Sequence, residues 1–213
     1  MKNKVKIAVI GGTGKSGRYL VQELIRKGFN LKVLVRNPEN FKIESPLIEI
    51  VYGDVRDSEI VKLLIQGCDV VISTLGGTPL SEPTVFSKAT RNILKAMNKF
   101  DIKRYVVVTG LNVDTPLDKK SPKTKFATDW MYTNFPKSTK DRQDEYDLLV
   151  ESQLDWTLVR LPLIIMTDER LETKISLEDS VGDKISATDL ADFLINQIGD
   201  TSFIRKAPFI ANI

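Results

Sequence analysis

Short, almost wholly apolar runs alternate along the chain with longer stretches in which apolar residues recur every three or four positions. A short continuous apolar run is typical of a strand buried on both faces, and the wider spacing is typical of a helix with one buried face. The predicted strands are residues 5–10, 31–35, 48–52, 69–74, 105–110 and 155–161, with a last short strand within 208–213. The predicted helices are residues 14–27, 60–65, 83–100, 141–153 and 187–198.

This alternation predicts an α/β fold, a Rossmann-type doubly wound parallel sheet with helices on both of its faces. No repeat or linker interrupts the pattern, so residues 1–213 are expected to form a single domain. Residues 111–140 look irregular, contain Pro and Lys, and are long for a plain crossover. Such segments often form lids or substrate loops, which is the interpretation favoured here. The alternative is an ordinary surface excursion.

The stretch AVIGGTGKSGRYL contains parts of two phosphate-binding motifs. A triphosphate-binding loop has the form Gly-x-x-x-x-Gly-Lys-Ser/Thr. With Gly14-Lys15-Ser16 as its end, its first glycine would stand at position 9, which is Val9. The fourth predicted strand also ends in ISTLGG, without an acidic residue that could hold magnesium. Both observations disfavour a triphosphate site.

A dinucleotide-binding turn fits the same stretch better, because its glycines directly follow a predicted strand and open a predicted helix. Gly12 would allow the tight turn, Gly14 would let the backbone approach a pyrophosphate, and Gly17 would let the helix pack closely on the sheet. Gly11 adds a second glycine spacing with Gly14 and Gly17. The amino terminus of the helix would then face the phosphates with unpaired N–H groups and a partial positive charge.

The end of the second strand indicates which dinucleotide is bound. An acidic residue about twenty positions after the glycines would hold a ribose 2′-hydroxyl, but this place reads VLVRN, with Arg36 and no carboxylate. A guanidinium suits the 2′-phosphate of NADP, so NADP(H) is favoured over NAD(H). Lys15 and Arg18 would add positive charge nearby. The alternative is that Arg36 is simply solvated at the end of a strand.

Composition narrows the possible partners. The net charge of +3 is too even to favour nucleic acid or a membrane surface, and no apolar run is long enough to span a bilayer. The start of the chain lacks the cleavage site of a secretory signal peptide. Cys68 is the only cysteine, which fits the cytoplasm, and with no histidine a structural zinc site is excluded. Catalysis by imidazole is excluded for the same reason.

Several further segments carry a family resemblance over nearly the whole chain: VYGDVRD at 51–57, STLGG at 73–77, YVVVTG at 105–110 and ESQLDWTLVRLP at 151–162. Together with the glycine-containing unit, they resemble an atypical short-chain dehydrogenase/reductase. Within that superfamily, the chain is similar to the NAD(P)H-binding group, which includes NmrA-like proteins and flavin reductases of the biliverdin reductase B type. This resemblance implies a reductase that uses NADP(H), or a regulator that binds it.

The resemblance also implies roles for individual residues. In the glycine turn, Thr13, Lys15 and Ser16 would contact the phosphates. Asp54 and Val55 would flank the adenine. Leu75 and Gly76 would lie along the cofactor, and Thr109 would lie near its nicotinamide.

The resemblance is weakest at the proton donor. The larger superfamily uses Tyr-x-x-x-Lys, and none of the five tyrosines here has a lysine four positions later. Alignment of DEYDLLVESQLDWT with the family puts Ser138 and Arg142 where that pair would lie. Thr109, Ser138 and Arg142 are therefore the candidate catalytic residues, and Lys140 is a further candidate for hydrogen bonding. The branch of flavin reductases also lacks the pair, so its absence is compatible with reductase activity.

Two hypotheses follow. The first is a cytoplasmic NADP(H)-dependent oxidoreductase, a monomer or homodimer, that reduces a small conjugated acceptor such as a flavin or quinone. The second is a non-catalytic NADP(H)-binding redox sensor of the NmrA type. Four aromatic residues in the segment 125–135 would form an apolar wall over a planar substrate, or else the core of that segment: Phe126, Trp130, Tyr132 and Phe135. The basic run 118–125 would be a rim that attracts anions, or else a solvated loop.

Overall fold

The structure is a computed structural model, which describes residues 5–77 and 84–213. Its strands, in chain order, are β1 (Lys6–Ile10), β2 (Asn30–Val35), β3 (Ile48–Tyr52), β4 (Val70–Ser73), β5 (Arg104–Gly110), β6 (Asp155–Leu161), β7 (Leu163–Ile165), β8 (Thr173–Ser176), β9 (Lys184–Ser186) and β10 (Phe209–Asn212). Its helices are α1 (Lys15–Arg26), α2 (Ser58–Ile65), α3 (Val85–Lys99), α4 (Pro122–Asn134), α5 (Pro136–Glu151) and α6 (Ala187–Asn196). Among these residues, none of the helices is long and apolar enough to cross a membrane.

Eight strands form one sheet in the order β3-β2-β1-β4-β5-β6-β10-β8, and β7 pairs with β9 in a separate ribbon. Seven of the eight run parallel, and only β8 lies antiparallel to its neighbour β10. The strand order reverses between β1 and β4, and ligands of doubly wound sheets bind outside the carboxyl ends of the strands at such a point. The predicted Rossmann-type fold is therefore confirmed, and the reversal locates the crevice of interest.

Alternate residues of the central strands pack into two apolar layers, one on each face of the sheet. Ile7 and Val9 of β1 point into the layer that is covered by α1 and α6. Ala8 and Ile10 point into the other layer, which is covered by α2, α3 and α5. Each large side chain buried in this way contributes about 1.5–3 kcal/mol relative to an exposed one. This double burial explains why the strands read as almost continuous apolar runs.

The description of residues 111–140 as irregular was wrong, because α4 and the first turns of α5 lie within this segment. Ser121 caps α4, with its hydroxyl accepting a hydrogen bond from the Thr124 amide at 3.4 Å, and Pro122 stands at the first helical position. The buried residues of α4 are only Thr124 and Thr128, so this helix has no apolar stripe toward the core. The sequence of α4 therefore lacks apolar residues that recur every three or four positions, which is the pattern that predicts a helix.

The other element boundaries agree closely with the pattern. The six main strands begin and end within one residue of their predicted limits, whereas α5 begins at Pro136, five residues before its predicted start. The predicted start of the third helix, at position 83, lies outside the described residues. The strands β7, β8 and β9 were not predicted, because they are only three or four residues long.

Candidate cofactor-binding and active site

The glycine turn after β1 is packed so tightly that side chains do not fit at two of its positions. Gly11 has φ of +80°, and a Cβ built on it would lie 2.6 Å from the carbonyl carbon and oxygen of Thr74. A Cβ on Gly17 would lie 2.1 Å from the carbonyl oxygen of Gly11. The left-handed conformation is thus taken by Gly11 and not by Gly12, to which we had assigned the tight turn. Gly12 instead faces Val21 and Val33, where a Cβ would lie 3.1 and 3.0 Å from their methyl groups.

The amino terminus of α1 is left open above this turn. Gly14 is the N-cap residue, no side chain of residues 5–77 or 84–213 caps the helix, and its first turn contains no acidic residue. The first N–H groups of a helix have no carbonyl partner within it, so those of Lys15 and Ser16 are available to an anion together with the positive end of the helix dipole. Gly14 is exposed, and the only described atom within 4 Å of a Cβ built there is the Gly11 carbonyl oxygen at 3.1 Å. Thr13 is half-buried in the same turn. These residues fit a diphosphate group.

The expected adenine side of the crevice is formed by the ends of β2 and β3. Arg36 directly follows β2 and is exposed. The Asp54 carboxylate accepts hydrogen bonds from Arg56 Nε at 2.8 Å, Nη2 at 2.8 Å and the backbone amide at 2.9 Å. The pKa of Asp54 is lowered mainly by Arg56, with a smaller contribution from the charge of Arg36. Val55 is buried in the core, and its carbonyl accepts a hydrogen bond from Asn92 at 3.0 Å.

The ends of β4 and β5 form the floor on the other side. The amide and hydroxyl of Thr74 donate to the Ile10 carbonyl at 2.9 and 3.3 Å, which fastens the end of β4 to the end of β1. Leu75 is half-buried and Gly76 is exposed beyond this contact. Thr109, at the end of β5, is only 3% exposed, and its hydroxyl has no hydrogen-bond partner in the described part of the chain. A buried hydroxyl without a partner is unusual and calls for a functional or solvent partner.

A family comparison agrees with this geometry. The sequence model of the NAD(P)H-binding family matches residues 11–201. The chain belongs to this family. Among curated proteins, it is 34% identical over 125 residues to an isoflavone reductase homolog of Nicotiana tabacum, covering 54% of this chain and 38% of that protein. The chain spans about half the length of the curated relatives that it matches, or less.

Solved structures share the fold at low sequence identity. The anaerobillin reductase ChuY of Escherichia coli superposes with a TM-score of 0.81 at 15% identity, covering 98% of this chain and 97% of that one. A short-chain dehydrogenase/reductase of Veillonella parvula in complex with NADP has a TM-score of 0.77 at 16% identity, covering 98% and 94%. At this level of identity, the structural likeness shows that this chain has the same Rossmann fold as these proteins, and it does not identify a substrate.

The two residues aligned with the family's Tyr-Lys pair lie on α5, in different surroundings. Ser138 is half-buried in the first turn of the helix. Arg142 donates to the Leu75 carbonyl at 2.6 Å, the Val108 carbonyl at 3.2 Å and the Glu145 carboxylate at 2.7 Å. Arg142 is a candidate catalytic residue from the sequence, but these contacts engage its guanidinium with protein groups.

Two buried acids of α5 were missed by the sequence analysis. Asp141 accepts hydrogen bonds from the amides of Phe86 and Ser87 at 2.7 and 3.2 Å, and so caps α3 from a neighbouring helix. Glu145 accepts from the Thr90 hydroxyl at 3.0 Å besides pairing with Arg142. The available signal was spacing, since Asp141 and Glu145 lie eight and four positions before the buried Leu149 on one helical face.

The aromatic residues of the predicted substrate segment are exposed, so the alternative that they form a core was wrong. Phe126 is 73% and Trp130 50% exposed, and Trp130 meets Phe135 edge-to-face with ring centroids 5.7 Å apart. Lysines of the basic run pair with acidic residues elsewhere in the chain, which reduces the charge of the expected rim. These pairs are Lys119–Glu178, Lys120–Asp114 and Lys123–Asp183.

Proposed function

We propose that this chain binds NADP(H) in the crevice above β1 and β4 and uses it to reduce a small conjugated acceptor by hydride transfer. The observation that carries the proposal is the open amino terminus of α1, which stands over a turn that leaves no room for side chains at Gly11 and Gly17. Family membership supports the dinucleotide, since the matching family binds NAD(P)H. Two of the similar proteins are named as a reductase or a reductase homolog, which supports the reaction type.

In this proposal the pyrophosphate lies against the backbone of the glycine turn. The N–H groups of Lys15 and Ser16 donate to its oxygens, and the Lys15 ammonium and the hydroxyls of Thr13 and Ser16 add further contacts. The exposed surface of Gly14 lets the phosphates approach the main chain. The adenine lies beside Asp54, whose carboxylate the Arg56 contact keeps ionised.

The 2′-phosphate is assigned to Arg36, and NADP(H) is therefore preferred to NAD(H). Arg36 is exposed at the end of β2, where a guanidinium can form a two-point hydrogen bond with a phosphate. Arg18 and Lys42 add two positive charges and Glu39 one negative charge, since all three line a cleft of about 520 Å³ between α1 and the connection that follows Arg36.

When bound, the reduced nicotinamide supplies the hydride. The residues of this chain position the acceptor. The Thr109 hydroxyl, which has no partner among the described residues, would hydrogen-bond at the nicotinamide side after a small local opening, and Ser138 would do so from α5. A conjugated acceptor can take its proton from water, so the reaction needs no Tyr-Lys pair. The exposed rings of α4 are proposed as the wall of the acceptor site.

The reaction is tested by mixing the purified protein with NADPH and a panel of flavins and quinones. Loss of absorbance at the reduced-nicotinamide band, dependent on both protein and acceptor, would support the reductase. Arg36→Glu tests the cofactor assignment separately. We expect the Kd for NADPH to rise about tenfold or more, because a charge-assisted contact worth about 1.5–3 kcal/mol is lost, and the Kd for NADH not to rise. Unchanged affinities for both cofactors would remove Arg36 from this role.

A second candidate function is a redox sensor that binds NADP(H) without turning it over. The observation that favours it is the engagement of Arg142 by Leu75, Val108 and Glu145, which removes the cation of the aligned pair from the crevice. Tight binding of NADPH without turnover across the whole panel would favour this candidate over the reductase.

A further inference from the structure

One guanidinium connects three elements beneath the proposed cofactor crevice. Arg142 of α5 donates to the carbonyl of Leu75 beyond β4 and to the carbonyl of Val108 in β5, and its guanidinium carbon lies 3.3 Å from the centre of the Phe86 ring in α3. The Val108 carbonyl is one residue before Thr109. The side chain of Arg142 is only 11% exposed.

The contact at Leu75 continues to the glycine turn. The preceding residue, Thr74, bonds to the Ile10 carbonyl through both its amide and its hydroxyl. The backbone of Thr74 and Leu75 also occupies the space that a Cβ on Gly11 would need, with the Leu75 nitrogen 2.7 Å from that position. Arg142 is therefore two contacts away from the turn that would hold the pyrophosphate.

We infer that Arg142, with Glu145 as its counter-ion, is a positioning residue that holds the Leu75–Gly76 backbone in the arrangement that binds the cofactor. The inference rests on the proposed function, because it assumes that NADP(H) lies along this backbone. A guanidinium suits the role well, since its planar fork holds two carbonyls and a carboxylate in a fixed geometry, whereas the donors of a lysine ammonium share one rotatable atom. Glu145 makes the burial of this charge tolerable, because its carboxylate is 3% exposed and lies 2.7 Å from Arg142.

Arg142→Lys tests the inference, and Arg104→Lys is its matched control. Arg104 is also a half-buried arginine that donates to three carbonyls, those of Gln197, Asp155 and Asp200. It stands at the first residue of β5, at the opposite edge of the sheet from the crevice. Both substitutions remove comparable hydrogen bonds, so a loss of general stability should be similar in the two variants.

We expect Arg142→Lys to raise the Kd and the KM for NADPH about tenfold, the factor expected if the loop holds its binding arrangement about one tenth of the time. The kcat should change less than about twofold, because no reacting group is removed. Without cofactor, amide hydrogen exchange in the peptide that contains residues 75–77 should accelerate in this variant. Arg104→Lys should leave the Kd and that exchange at parent values.

Three results would overturn the inference or its foundation. If Arg142→Lys binds NADPH as tightly as Arg104→Lys, Arg142 is merely structural. If Arg142→Lys does not fold, Glu145→Gln replaces it, with a Kd expected between those of the parent and a tenfold-weakened protein, and a parent Kd would overturn the inference. If the parent itself does not bind NADPH, the proposed function fails, and the inference fails with it.

Discussion

Alanine at Gly11 would disturb the crevice and the fold together, by two separable effects. The first effect is conformational, because φ of +80° lies in the left-handed region, which costs a side-chain-bearing residue about 1–2 kcal/mol. The second effect is steric, because the new Cβ would lie 2.6 Å from the carbonyl carbon and oxygen of Thr74, which are backbone atoms and cannot rotate away. Forced overpacking of this kind costs about 1–3 kcal/mol more.

Gly67 separates the two effects. Its φ is +77°, but a Cβ there would meet no atom of another described part of the chain within 4 Å. Gly67→Ala should therefore lower the free energy of unfolding by the conformational cost alone, about 1–2 kcal/mol. Gly11→Ala should lower it by about 2–5 kcal/mol, the sum of both effects.

Urea denaturation of the two variants and the parent measures the difference, provided that the m-value is unchanged. Gly11→Ala should also lose NADPH binding, whereas Gly67→Ala should bind as the parent does. Equal midpoints for the two alanine variants would refute the steric reasoning, since they would show that the end of β4 moves away from Gly11 at no cost.

Three further outcomes are expected. Gly14→Ala should fold with a small loss of stability, because Gly14 has φ of −72° and is exposed, while its new Cβ would lie 3.1 Å from the Gly11 carbonyl oxygen and require a slight shift. Calorimetric titration should show NADPH affinity reduced about tenfold or more, since the methyl group would hold the diphosphate off the backbone; parent affinity would contradict the assignment. The pKa of Glu23 is lowered to about 2, first by Arg26, so its stabilising effect is present above its ordinary pKa of 4.5 and is lost as the pH falls toward 2. Glu23→Gln should lower the free energy of unfolding, measured by urea denaturation at pH 7, by only about 1 kcal/mol, because its arginine partners are exposed. This difference should shrink below pH 4.5, and a pH-independent difference would contradict the ion-pair origin. Asp141→Ala should cost about 1–3 kcal/mol by uncapping α3, whereas Asp147→Ala at an exposed position of α5 should cost little; equal thermal midpoints would contradict the cap.

The sheet could be predicted from the sequence because each central strand is buried on two faces. A run such as KIAVI in β1 has no alternation to confuse it with a surface strand, and the glycines mark where it ends. The glycine turn could be located because its glycines directly follow this apolar run. The residue that takes the left-handed conformation within the turn could not be identified from the sequence. That detail depends on the approach of Thr74, which is distant in sequence.

The helix α4 could not be predicted because its buried residues are polar and its aromatic residues are exposed. Thr124 and Thr128 face the protein, while Phe126 and Trp130 face outward, so the apolar period that indicates a core-facing helix is absent. Ser121-Pro122, a cap followed by proline at the first helical position, was the available local signal.

The contacts of Arg142 could not be predicted either. Its partners Leu75 and Val108 are 67 and 34 residues away, and both contribute backbone carbonyls, which leave no trace in the sequence. Charged residues on helices are usually solvated, and the acidic segment of α5 reads as such a surface. The structure shows that Asp141, Arg142 and Glu145 make their hydrogen bonds on the buried side of that helix.

Equilibrium titration of the purified protein with NADPH, NADH and ATP with magnesium tests the assignment of the crevice most directly. NADPH should bind most tightly, NADH more weakly because it lacks the phosphate that Arg36 would hold, and ATP weakest. Saturable binding of ATP with no binding of either dinucleotide would contradict the assignment of the glycine turn to a dinucleotide.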